Sequence, residues 1–423
     1  MTNNLPASLI LSETAIADQI QEYKYLHQNP ELSHREYKTA DYIEQQLAEM
    51  PLAPGADRQV HRIGETGVVG VLSRGEGATV AFRADIDGLP ITEKSGRDYA
   101  SQATAQYEGA TSGVMHGCGH DTHIAAALGA ARLFAASEAW EGQLVFIMQP
   151  AEEVATGADA LLEAGLWEKV PHPVVLFGQH VFPLPAGHFE VSAGEFLSAA
   201  DSWDVTVRGV GGHGSQPEVT VDPIVLGAAM ITRLQTVVSR EVSPLDSAVV
   251  SVGVFQGGLK NNIIPDSARF TLNIRTFSPE TRERVLTAIE RIIRGEAMTA
   301  GAPEPIIETQ AGFPATINDA DATARVQRVL ASTFGAEKIF ADDTQRRMGS
   351  EDFSKLATAL GIPYVFWGFG GYDYTRIDDP ASLPGNHSPF FAPDPEITLA
   401  SGTHAAVAVL LDALEHYKAP RQG

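Results

Sequence analysis

Apolar residues recur at intervals of three and four through residues 13–28 and 36–50, the spacing that lays one apolar stripe along a helix. The chain is therefore expected to open with two helices. Alternating and continuous apolar runs follow: 68–72, 79–82, 143–148 and 174–177 predict strands, and 122–136 between them predicts a helix. Strands separated by helices point to the α/β class, a layered sandwich around a largely parallel sheet.

Near Ser192 the texture changes. Residues 204–208, 248–255 and 269–275 predict strands, with long helical patterns at 223–240 and 279–298. Asp222 can cap the first of these helices, and Pro223 suits its first turn, where a missing N–H costs nothing. These elements make a compact α+β unit. Beyond about residue 309 the α/β texture returns, with a helix at 320–333, a strand at 363–367 and a last helix at 397–417. The expected organisation is one domain from 1–191 and 310–423, with a smaller α+β domain, 192–309, inserted into it. No fixed-period repeat and no low-complexity segment is present.

A length of 423 residues fits this division, because single cores stop growing and chains split well below it. The 44% hydrophobic and 20% charged residues are those of an ordinary globular protein. A formal charge of −23, with no cluster of Lys and Arg, argues against nucleic acid as a partner. No apolar run approaches the roughly 18 to 20 residues of a membrane span, and residues 1–20 lack the basic start of a signal peptide. One cysteine excludes an internal disulfide and fits a reducing compartment, so a cytoplasmic enzyme is expected.

That cysteine sits in the densest chemical signal, His116-Gly117-Cys118-Gly119-His120-Asp121-Thr122-His123. Flexible glycines let such a stretch bring thiol and imidazole ligands to one point, although a buried thiol among surface histidines is the plain alternative. Glu152 and Glu153 follow the apolar strand 143–148, where open α/β sheets place ligands. A metal hydrolase needs one carboxylate on the ion and another, outside its coordination, to take a proton from water. Paired acids at a helix start would read the same way. His180 closes a third apolar strand, and His387 lies in the punctuated loop Gly385-Asn386-His387-Ser388-Pro389. The inserted region adds His213 in a Gly-rich turn, Asn262, and Arg275, which could grip a carboxylate through two parallel hydrogen bonds or form a surface ion pair.

In order, these motifs resemble the amidohydrolase branch of the di-zinc aminoacylase and carboxypeptidase G superfamily, the branch of hippurate hydrolases, auxin-conjugate hydrolases and N-acyl-amino-acid deacylases. The resemblance runs almost end to end, through Leu26-His27-Gln28-Asn29-Pro30-Glu31-Leu32-Ser33, Phe82-Arg83-Ala84-Asp85-Ile86-Asp87-Gly88-Leu89-Pro90, the Cys118 motif, Glu152-Glu153 and Met348-Gly349-Ser350-Glu351-Asp352-Phe353. It implies two divalent metal ions held by Cys118, His120, Glu153, His180 and His387, with Glu152 as general acid and base. It further implies an inserted lid that dimerises, His213 reaching the site of the partner subunit, and Asn262 and Arg275 holding the substrate carboxylate. Zn suits the ligand set best, and Mn, Co or Ni can take it.

One departure matters. Peptidase members of the superfamily carry His-x-Asp where this chain has Asp85-Ile86-Asp87, which favours the amidohydrolase branch and makes Asp87 a residue that orients a ligating His. The expected activity is hydrolysis of the amide bond of N-acyl-L-amino acids, such as acyl-glutamine or hippurate. A metallo-carboxypeptidase or dipeptidase is the alternative.

Overall fold

A computed structural model describes residues 4–341, 346–377 and 379–418. The chain forms two compact units. One takes in the chain up to Phe196, the stretch from Ile317 and the stretch from Asp352 onward; the other comprises Leu197–Thr316 and Arg346–Glu351. The last of these segments had been expected within the larger domain. It joins the smaller unit because the backbone N–H of Ser198 donates to the carbonyls of Arg347 and Gly349, and Ser198 Oγ to that of Met348.

The larger unit is built on an eight-stranded sheet in the order Ala56–Ile63, Gly67–Arg74, Gly142–Gln149, Thr79–Asp85, Leu176–Pro185, Tyr364–Tyr372, Phe189–Glu190 and Ile339–Phe340. Gly142–Gln149, Thr79–Asp85, Leu176–Pro185 and Tyr364–Tyr372 pair in parallel, as the α/β pattern predicts. Antiparallel neighbours flank them, which makes the sheet mixed rather than largely parallel. The reason is local at one edge: only Gly64, Glu65 and Thr66 separate two strands, and so short a link can join only antiparallel partners. In the centre, Val80, Ala81, Phe82 and Ala84 are all buried, as expected of a strand covered on both faces.

Two long helices, His120–Ala136 and Pro395–His416, pack against each other and against Thr79–Asp85. Pro395–His416 is long and apolar enough to cross a membrane by composition, a property the sequence reading did not register. Its side chains, Leu399, Val407 and Leu410 among them, lie instead in the core of this unit.

The smaller unit is a four-stranded antiparallel sheet, Ala248–Gly257, Ser267–Thr276, Ala199–Arg208 and Ile306–Thr309 in that order, on which Pro223–Thr236 and Pro279–Thr299 pack. Alternate residues Phe270, Leu272 and Ile274 face the helices and share a core with Met230, Ile289 and Ile293. Asp222 accepts the N–H groups of Ile224 and Val225, the cap that its position predicts.

Candidate active site

The parallel strands deliver the chemistry at one end of the larger sheet. Asp85 pairs in register with Gln149, which places the Asp85–Asp87 turn beside the segment carrying Glu152 and Glu153. His180 was expected at a strand terminus, but its strand continues to Pro185. What stops is the pairing on one side: Leu176–Pro185 bonds to Thr79–Asp85 only as far as Arg83 opposite Gly178, while His180 still pairs with Gly368 on the other. Cys118 and His120 enter from the N-terminal end of the helix His120–Ala136. Gly119, at φ +89°, makes the turn, and a Cβ there would stand 2.4 Å from Val181 Cγ1.

Glu152 and Glu153 sit between two strained residues, Ala151 at φ +50° and Ala155 at φ +59°. Non-glycine residues persist in the left-handed region only where their surroundings impose it. Here the Glu36 carboxylate accepts the Ala151 N–H at 2.8 Å, and Lys355 Nζ donates to the Ala155 carbonyl at 2.8 Å.

The candidate ligand atoms converge. Cys118 Sγ is 3.3 Å from His180 Nε2, His387 Nε2 is 3.4 Å from Glu153 Oε2, and His120 Nε2 is 3.8 Å from Glu153 Oε1 and 3.9 Å from Glu152 Oε2. They form overlapping groups, Cys118 with Glu153 and His387, and His120 with Glu152 and Glu153. Most of these gaps are long for hydrogen bonds. Two ligands each about 2.0–2.3 Å from one tetrahedral ion stand about 3.3–3.8 Å apart, which is the spacing seen. His120 Nε2 and Glu153 Oε1 are moreover buried with no hydrogen-bonding partner among the described residues. Burial raises the Glu153 carboxyl to about 8, against the lowering charge of His120. Buried, unsatisfied donor atoms and an excess of nearby carboxylates suit a pair of divalent cations.

Around this set the orientation is fixed. His120 Nδ1 faces the Asp87 carbonyl at 2.9 Å and Asp87 Oδ1 at 3.2 Å, while Asp87 Oδ2 accepts from Ser33 Oγ and from the Glu153 N–H. His180 Nδ1 donates to the Val181 carbonyl at 2.8 Å. In both rings it is Nε2 that is turned toward the other ligands.

His123, in the same dense motif, is not arranged to hold an ion. Its Nε2 accepts the Val181 N–H at 2.8 Å and its Nδ1 donates to Asp85 Oδ1 at 2.5 Å, so both nitrogens are engaged. Asp85 also accepts from Arg83, which is wholly buried and reaches Gln149 and Asp352 as well. Nothing in the sequence pattern assigned a role to Asp85, His123 or Arg83, although all three lie inside the motifs that carry the family resemblance.

His27 was likewise missed. Its Nδ1 contacts Asp121 Oδ2 at 2.6 Å and its Nε2 contacts Glu93 Oε1 at 2.9 Å, tying the first helix to the Cys118 motif. Burial alone would lower its pKa, but the two carboxylates outweigh burial and raise it from 6.5 to about 9. A raised histidine pKa contributes stability that is full below the unfolded value and fades as pH rises through the folded one. Thermal unfolding between about pH 7 and pH 10 should therefore fall more steeply for the wild-type chain than for His27→Gln. Parallel curves would exclude a protonated His27.

The remaining predicted residues lie in the smaller unit. His213 opposes Ile263 in a two-stranded ladder, and the Gly214 N–H donates to the Asn262 carbonyl at 2.9 Å, so His213 and Asn262 are neighbours. His213 Nδ1 accepts from the Ser215 N–H at 3.1 Å, which leaves the ring proton of a neutral imidazole on Nε2 as a donor. Arg275 is half-buried and donates to Asn273 Oδ1, Ser350 Oγ and the Met348 carbonyl. It makes no ion pair with a carboxylate among the described residues.

With this geometry in place, the signature of Peptidase family M20/M25/M40 matches residues 81–412. The chain belongs to this family. It is similar to the hippurate hydrolase of Campylobacter jejuni, 37% identical over 81% of this chain and 85% of that one. It is also similar to thermostable carboxypeptidase 2 of Saccharolobus solfataricus, 31% identical over 92% and 94%. Among solved structures, a dinuclear metal-binding peptidase of the M20 family from Bacillus subtilis superposes with a TM-score of 0.74 at 29% identity, covering 96% of this chain and 99% of that one.

Proposed function

We propose that this M20-family hydrolase cleaves the amide bond of N-acyl-L-amino acids, with two divalent ions held by Cys118, His120, Glu153, His180 and His387. The observation that carries the reading is the convergence of those side chains with the Glu152 carboxylate 3.9 Å from His120 Nε2. A bound divalent ion lowers the pKa of water to about 7 and polarises a carbonyl. Glu152, buried beside the ligands, takes the proton of the attacking water and hands it to the leaving amine. His213 donates Nε2–H to the oxyanion as charge develops. Arg275 holds the α-carboxylate of the amino acid, with Asn262 adding a hydrogen bond. In support, the half-buried guanidinium has only neutral oxygens as its hydrogen-bond acceptors among the described residues.

Zn is the metal proposed, since thiolate and imidazole with one carboxylate suit it best; Mn, Co and Ni fit the same ligands. The smaller unit is proposed as a lid through which two copies pair. Similarity to a carboxypeptidase keeps that activity as the second reading.

A product assay separates the two readings. Chelated protein, reloaded in turn with Zn, Mn, Co and Ni, is offered acyl-glutamine, hippurate, acetylated amino acids and dipeptides. Acyl-amino acids should be cleaved only after reloading. Turnover confined to dipeptides would transfer the assignment to a peptidase, and undiminished activity in chelated protein would end the metal reading.

A further inference from the structure

The motif Gly385-Asn386-His387-Ser388-Pro389 supplies one candidate ligand and leaves the neighbouring Asn386 without a role. That side chain is only partly exposed. Its Nδ2 donates to the carbonyl of Cys118 at 3.0 Å and to the carbonyl of Val181 at 3.1 Å, and stands 4.0 Å from Cys118 Sγ. A side-chain amide nitrogen carries two hydrogens, so both are spent on two distant segments. The Val181 carbonyl is also the acceptor for His180 Nδ1, and the Val181 N–H donates to His123. His387 completes the knot: its N–H donates to the Gly117 carbonyl at 2.7 Å while its own φ is +68°. A non-glycine residue keeps that conformation only where contacts on either side enforce it.

We propose that Asn386 is a positioning residue which clips the Cys118 loop, the His180 strand and the His387 loop into the arrangement that receives the divalent ions. The inference deepens the proposed metal site and rests on it. Cys118, His180 and His387 come from three separate stretches of chain, and the amide joins the first two while its own backbone carries the third. The His387 side chain is half-exposed, so its ring is held chiefly through its backbone, which the Gly117 carbonyl and the neighbouring Asn386 amide fix in place. Groups that orient metal ligands from behind typically change affinity by about 10- to 100-fold when removed.

The test compares metal-free wild type, Asn386→Ala and Asn386→Asp. Aspartate keeps the size but replaces the donor with an oxygen facing two carbonyl oxygens. Cobalt(II) is titrated against a competing chelator while the thiolate-to-cobalt absorption is recorded, and thermal unfolding of each metal-free protein is measured alongside. Both variants are expected to bind cobalt about 10- to 100-fold more weakly, with a shifted or diminished thiolate band, while metal-free Asn386→Ala unfolds at nearly the wild-type temperature. Wild-type affinity and spectrum in both variants would overturn the clip. So would a loss of metal-free stability that matches the loss of affinity, since the residue would then serve the fold alone. A wild-type chain that takes up no cobalt would instead sink the proposed metal site itself, and the clip with it.

Discussion

Glu152→Gln is expected to keep both metal ions and lose turnover by roughly 100- to 10,000-fold, the range spanned by a positioned acid–base group. The substitution is nearly isosteric and leaves a polar group in the same buried place, so the ligand side chains have no reason to move. What it removes is the capacity to accept a proton from water and return it to an amine. Glu153, next in sequence, cannot substitute, because both its oxygens are turned toward candidate ligands, Oε1 to His120 and Oε2 to His387. Metal content by elemental analysis and kcat on an acyl-amino acid read the two halves of the expectation separately. Wild-type turnover in Glu152→Gln would remove the residue from the reaction. The same protein tests the sharing of sites between subunits that the family resemblance implies. Mixed with His213→Ala, it should regain activity if His213 serves the partner, and should not if each chain works alone.

The sequence carried the types of the elements better than their partners. The run at 79–82 announced a strand, and Asp222-Pro223 announced a helix start, because both are decided by neighbouring residues. Pairing direction is mostly decided by partners far along the chain: the three-residue link 64–66 fixes one antiparallel pair locally, but the pairing of Gly67–Arg74 with Gly142–Gln149 had no local mark. The Cys118 motif shows the same division within the site. His120 and His123 lie three apart on one helix, where i and i+3 share a face, and residue type alone cannot separate them. The separation comes from Asp85 and from the peptide of Val181, which occupy both nitrogens of His123 and leave His120 Nε2 without a partner. Arg83 gave no signal of its role at all, since one of its partners, Asp352, is 269 positions away.

Arg83 is also where the largest loss of stability is expected. Its guanidinium is fully buried and donates to Gln149 Oε1 at 2.9 Å, Asp85 Oδ2 at 2.7 Å and Asp352 Oδ1 at 3.3 Å. Gln149 Nε2 closes the ring by donating to Asp352 Oδ1 at 2.6 Å, and the Ala158 N–H donates to Asp352 Oδ2 at 3.0 Å. Burying a charge is costly, and this cation, the partner that the buried Asp85 and Asp352 share, offsets it. Burial pushes both carboxyls up; His120, His123 and Arg83 together hold Asp85 well below the usual range, whereas Asp352 stays raised even with Arg83 beside it. Arg83→Met fills much of the same volume but leaves two buried acids facing a thioether. The expected cost is about 3–5 kcal/mol, the range found when one member of a buried pair is removed. Arg83→Lys keeps the charge but cannot fork to three acceptors, so it should recover only part of that loss. Denaturant unfolding of the metal-free proteins measures the difference without interference from the ions. A change below about 1 kcal/mol for Arg83→Met, the size of an ordinary surface pair, would mean that Asp85 and Asp352 are neutral or hydrated in the folded chain. In that case Asp85 would hold His123 through a neutral or hydrated carboxyl, a weaker support behind the ligand helix than a buried carboxylate.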